Sequence, residues 1–116
     1  MEAQCNFTLE HIGINPGGED AVRIAELFAA VLGVPVKEGK SSVFAGKLVE
    51  VMRQDYLGAK GHIAIGAESL EAAGQWLAER GFALDPATAK YDTDGSLKAV
   101  YLKGDFGGFA VHLLKK

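Results

Sequence analysis

The sequence predicts an α+β domain in which two βαβββ repeats form a bowl-like, curved mixed sheet with the helices outside. Three observations carry that expectation. In Gly108-Phe109-Ala110-Val111-His112-Leu113-Leu114, strict alternation sets Phe109, Val111 and Leu113 on one strand face and His112 on the other with Ala110 and Leu114. The same layout occurs in Gly46-Lys47-Leu48-Val49-Glu50-Val51, and His11-Ile12-Gly13-Ile14 matches His62-Ile63-Ala64-Ile65. Two helical stripes also stop at corresponding glycines, Gly33 and Gly81. The chain therefore reads as a degenerate internal repeat, with halves at about residues 7–52 and 61–114.

A length of 116 residues allows one domain, 1–116, with a single core. With 48% hydrophobic and 23% charged residues, the chain is neither disordered nor fibrous. Its net charge of -3 comes with no basic run interleaved with aromatics, so nucleic acid is not an expected partner. The longest apolar run, Leu27 to Val36, is too short for a membrane span and holds Gly33 and Pro35. Met1 to Asn6 has no basic-then-apolar signal, so a cytoplasmic location is expected. Cys5, the sole cysteine, reads as a passive thiol.

Each element has its local cause. Phe7 to Ile14 is a strand left through the turn Asn15-Pro16-Gly17-Gly18. Glu19 and Asp20 favour the positive end of a following helix, whose Ile24, Leu27, Phe28, Val31 and Leu32 form an apolar stripe expected in the core. From Val34 to Met52 the pattern is short and β-like, punctuated by Gly39-Lys40 and Gly46-Lys47, giving three strands. Polar residues Arg53 to Lys60 connect the halves. Gly61 to Gly66 is a strand, and Ser69 caps a helix carrying Leu70, Ala73, Trp76, Leu77 and Arg80. Phe82-Ala83-Leu84 reads as a short strand before a long polar stretch, Asp85 to Ser96, with a hairpin turn at Asp92-Thr93-Asp94-Gly95. That turn lacks the remaining ligands of a calcium loop. Leu97 to Lys103 and Gly108 to Leu114 close the domain as an antiparallel pair.

In this arrangement Ile12, Ile14, Ile63, Ile65, Val49, Val51, Val111 and Leu113 face the helices, while His11, Glu50, His62 and His112 point inward. An ionised Glu50 amid Leu48-Val49-Glu50-Val51-Met52 is costly to bury unless a cation or strong donors meet it. Three imidazoles and one carboxylate suit Zn, Ni, Co, Fe or Mn better than Mg or Ca. Phe44, Leu48, Met52, Ala99 and Tyr101 share the inward phase and would line a substrate cavity, and Lys103 lies towards its rim.

These residues resemble the vicinal oxygen chelate superfamily of glyoxalase I, extradiol dioxygenases, methylmalonyl-CoA epimerase and fosfomycin and bleomycin resistance proteins. In that superfamily the first strand of each half gives a histidine or glutamine ligand, matching His11 and His62, and the last gives a glutamate, matching Glu50 and falling on His112. Asp105-Phe106-Gly107-Gly108 departs from the usual Asp-Pro-Asp-Gly turn, and His112 from the second glutamate. A narrower likeness, through Val36-Lys37-Glu38-Gly39, Ser41 to Gly46, Gly61 to Gly66 and Ala89-Lys90-Tyr91-Asp92, is to the glyoxalase-like module attached to some bacterial 2-keto-3-deoxy-6-phosphogluconate and 4-hydroxy-2-oxoglutarate aldolases.

The resemblance implies a glyoxalase I-like metalloenzyme, a lyase, isomerase or epimerase moving a proton on a small oxygenated substrate, with Glu50 as base. The competing implications are a drug-sequestering or aldolase-accessory binding module and an extradiol dioxygenase-like oxidoreductase. A homodimer is expected too, because each half leaves a sheet edge needing a partner and members of the superfamily exchange halves.

Overall fold

The computed structural model describes residues 5–116. Its first half gives β1 (Thr8–Ile14), α1 (Ala21–Leu32), β2 (Val36–Glu38), β3 (Ser42–Ala45) and β4 (Val49–Met52). The second gives β5 (Gly61–Ala67), α2 (Leu70–Ala78), β6 (Leu84–Tyr91), β7 (Leu97–Leu102) and β8 (Phe109–Lys115). Both halves are βαβββ, and all the strands join one mixed sheet in the order β2-β3-β4-β1-β5-β8-β7-β6. Each half pairs its first strand parallel with its last, β1 with β4 and β5 with β8, and the halves meet where β1 runs antiparallel to β5. The strands bearing Glu50, His11, His62 and His112 are thus the adjacent central four.

Both helices begin and end where the chemistry of their termini dictates. The Asp20 side chain accepts from the Val22 N–H at the start of α1, and Gly33 ends it at φ 69, a left-handed conformation open to glycine. Ser69 accepts from the Ala72 N–H at the start of α2. Each helix covers its own half of the sheet. Beneath α1 lie Val43, Ala45, Val49 and Val51, and beneath α2 lie Leu97, Val100, Leu102 and Leu113, joined by the buried thiol of Cys5. No helix among the described residues is long and apolar enough to cross a membrane.

Two sequence expectations are corrected. The buried face of α1 is Ala21, Ala25 and Ala29, while Leu27, Val31 and Leu32 are 59%, 72% and 44% exposed. Small side chains let the helix settle closely on the sheet, which turns part of the bulkier stripe outward; Ile24 and Phe28 pack only at its margin. The second correction is β6, which is not a short strand at 82–84 but runs from Leu84 to Tyr91 through Pro86. It lies at the sheet edge, where a missing N–H breaks no ladder, and its pairing with β7 is irregular between Asp85 and Lys90. The turn at Asp92 to Gly95 joins β6 to β7 as a hairpin, its acids satisfied by Ser96 and Lys115.

Candidate metal centre

Two rows of cross-strand neighbours build the site. One runs Phe44, Glu50, Gly13, His62 and Ala110 across β3, β4, β1, β5 and β8. The other runs His11, Ala64, His112 and Tyr101 across β1, β5, β8 and β7. Paired residues project on one sheet face, so Gly13 leaves open the space between Glu50 and His62, and Ala64 does so between His11 and His112. A Cβ on Gly13 would overlap the His62 ring, which lies across the Gly13 backbone. Packing and the contacts of Nε2 orient that ring, because His62 Nδ1 is buried without a hydrogen-bond partner.

His11 Nε2 and His62 Nε2 stand 3.2 and 3.1 Å from Glu50 Oε1 and 3.3 Å from each other. Ser42 Oγ donates to the other carboxylate oxygen at 2.7 Å. Donor-to-metal lengths of about 2.0–2.2 Å place neighbouring donors about 3.0–3.5 Å apart in octahedral or tetrahedral shells. The triangle therefore has the spacing of one face of a divalent-metal shell, and its two imidazoles and carboxylate are the donors such ions take. Among the described residues, His11, Glu50 and His62 form the cluster whose donor atoms lie within 4.8 Å of one another.

His112 stands beside this triangle. Its ring stacks on Tyr101 at 4.1 Å between centroids with planes 2° apart, and lies 6.1 Å from the His62 ring. Glu50 is held well below the usual carboxylate range, first by hydrogen bonding with His11, then with His62, against the opposing effect of burial; Ser42 assists. Burial, then the charges of His62, His11 and Lys90, pushes His112 down to about 4. Burial pushes Tyr101 up to about 12, with Tyr56 and Glu50 adding to it.

A pH experiment follows from these shifts. In metal-free protein, the His112 ring resonances should titrate with a midpoint near about 4 and not near the ordinary 6.5. Between those values the unfolded chain binds a proton that the folded chain does not, so stability rises with pH across the window and falls as pH drops through it. An NMR midpoint at 6.5 would mean that the ring is solvated.

The centre opens into a cavity of about 590 Å³, which Met52 and Tyr101 also line. Phe44 meets His11 edge-on, ring centroids 5.7 Å apart, and so backs the triad. Leu48 lies outside the cavity and is 42% exposed. Lys103 is exposed and also outside, whereas Lys90 lines the wall. Sequence reasoning missed Ser42, although counting two residues back from Phe44 gives its inward phase. It also missed Tyr56 and Leu57, which line the cavity from the inter-half connection. Asn15 holds that connection in place, accepting from the Tyr56 N–H at 2.9 Å and donating to the Gly58 carbonyl at 2.7 Å. The triad draws on both halves of one chain, so its assembly needs no exchange of halves between two copies.

The fold is shared with solved structures of low sequence identity. Two solved structures carry that comparison. Hypothetical protein BH1468 from Bacillus halodurans C-125 superposes with a TM-score of 0.61 at 17% identity, over 96% of this chain and 95% of that one. Methylmalonyl-CoA epimerase from Mycobacterium tuberculosis superposes with a TM-score of 0.55 at 20% identity, over 92% of this chain and 86% of that one. No family model and no curated protein matches the sequence.

Proposed function

We propose that this chain is a metal-dependent enzyme of the epimerase or isomerase type, moving a proton on a small oxygenated substrate. The observation that carries the reading is the convergence of His11 Nε2, His62 Nε2 and Glu50 Oε1 on one point of a cavity, with His112 beside them. Zn, Ni, Co, Fe or Mn would each suit that donor set. His11, His62 and Glu50 would hold such an ion, which would supply electrophilic polarisation of substrate oxygens.

The remaining chemistry belongs to the side chains. Ser42 fixes the Glu50 carboxylate so that Oε1 stays turned to the two imidazoles. Phe44 backs the triad, and Leu57 adds apolar wall to the cavity. The sequence suggested Glu50 as base, but both its oxygens are engaged and its basicity is low. His112 is the better acceptor of the two, because it is held less far down than Glu50, stands beside the triad and lines the same cavity. It takes a proton from the carbon beside the polarised oxygen and returns it there or to the neighbouring carbon.

The test is solvent exchange. A panel of 2-hydroxy and 2-oxo acids and hemithioacetals is incubated in D2O with metal-loaded protein, and deuterium incorporation is followed by NMR. Wild type should exchange one C–H, and His112→Gln should lose that rate by about 10²–10⁴-fold with metal content unchanged. Equal exchange in both would remove His112 from the reaction. No exchange with any compound would favour a binding module, whether free-standing or accessory to an aldolase.

A second reading has one observation in its favour. Two imidazoles and a carboxylate on one face are also the donor set of non-haem iron oxygenases. Oxygen uptake by iron(II)-loaded protein with a catechol would select that reading over proton transfer.

A further inference from the structure

We propose that Lys90 is the anion-receiving group of this site, and that the ligand is a small bipolar anion whose vicinal oxygens meet the triad while a second carboxylate or phosphate meets Lys90. This deepens the function proposed above and rests on its metal centre.

The placement comes from register. Lys90 on β6 pairs with Ala99, which is two residues from Tyr101 along β7, and Tyr101 in turn pairs with His112. Lys90 therefore projects on the face that carries the centre, and it lines the same cavity as Glu50, His62 and His112. Its charge also bears on His112, where it depresses the imidazole together with His62 and His11.

The charge count then decides what the cavity takes. Glu50 is the only carboxylate among the residues that line it, and that carboxylate is committed to His11, His62 and Ser42. Among the described residues Lys90 makes no ion pair, while the nearby Asp92 is already paired with Lys115 at 2.9 Å. A divalent ion with one carboxylate is net positive, and an unpaired lysine on the facing wall adds to it. A cleft lined by one sign of charge concentrates ligands of the other, and the centre and the exposed Lys90 supply two positive poles to one cavity. A monoanion that chelates the metal would leave Lys90 unanswered. A ligand with a second, distal anionic group answers both. At about 590 Å³ the cavity is of a size that holds a small molecule whole.

The test uses isosteric probes on nickel-loaded protein, read by titration calorimetry. 2-Oxopentanoate supplies the vicinal oxygens alone, 2-oxoglutarate adds a distal carboxylate in place of its methyl group, and 2-oxo-4-phosphonobutanoate adds a phosphonate. Wild type should bind one or both dianionic probes at least about tenfold more tightly than 2-oxopentanoate, the scale of a hydrogen bond to a charged group. The tighter of the two identifies the distal group as carboxylate or phosphate. In Lys90→Gln that preference should vanish while 2-oxopentanoate affinity and nickel content stay as in wild type, and Lys90→Arg should restore it. Nickel-loaded wild type with no preference, or a preference that survives in Lys90→Gln, would overturn the assignment and leave the metal centre standing. Failure of wild type to take up nickel would overturn both.

Discussion

Gly13→Ala should cost the protein its metal site while leaving every donor side chain in the sequence. The new methyl group would stand between Glu50 and His62, in the space that the His62 ring fills. Either the ring leaves its position or the β1 and β5 backbones separate, and overpacking of this kind costs about 1–3 kcal/mol. His62 has no hydrogen bond at Nδ1 to draw it back. Metal affinity should fall by at least the roughly 10–100-fold that loss of an orienting partner costs elsewhere, with a drop in melting temperature. Ala64→Gly, in the neighbouring row, removes a methyl group and is the control for strand flexibility. Isothermal titration with zinc and thermal melts of both variants would check this, and unchanged zinc affinity in Gly13→Ala would mean that the His62 ring is not held by the glycine gap.

Glu50→Gln should separate the site from the fold. In metal-free protein the half-buried carboxylate is held by two imidazoles and Ser42, so a neutral amide of the same shape keeps the packing but gives up the charge-assisted bonds that hold Glu50 low. The melting temperature at neutral pH should therefore fall while the fold is kept, and the difference from wild type should shrink as pH drops below 4.5. Metal affinity should fall at least about 100-fold, because an anionic first ligand is removed, which exceeds the loss of an outer partner. The acid side gives a further check. Glu50 has a lowered value, so its stabilising effect is present above the ordinary 4.5 and is lost as pH falls below it, and Glu50→Gln should flatten that part of the stability curve. Equal metal affinity in wild type and Glu50→Gln would take the carboxylate out of the centre.

Much of the centre was legible because strand geometry has a period of two and the halves repeat. Glu50 between Val49 and Val51, and His62 before Ile63, can take only one face each once the valines and isoleucines are given to the helices. The rest was hidden for physical reasons. In α1 the large apolar residues suggested the core, yet close helix-to-sheet packing selected alanines for the buried face. In β6, Pro86 and the polar residues around it looked like a loop, because an edge strand tolerates what a central strand does not; Lys90 was lost with it. The distances among the inward side chains were also out of reach. His112 has the phase of a donor, but stacking on Tyr101 and the distance to His62 set it beside the triad, and neither follows from periodicity.

His11, Glu50 and His62 should together hold one divalent ion, and metal stoichiometry decides whether they do. Purified protein is stripped, reloaded with zinc, freed of excess by gel filtration and assayed by elemental mass spectrometry, alongside the His11→Ala, His62→Ala and Cys5→Ala variants. One equivalent per chain is expected in wild type and Cys5→Ala, with little retained in either histidine variant. Zinc absent from wild type, or retained equally when His11 and His62 are removed, would contradict it.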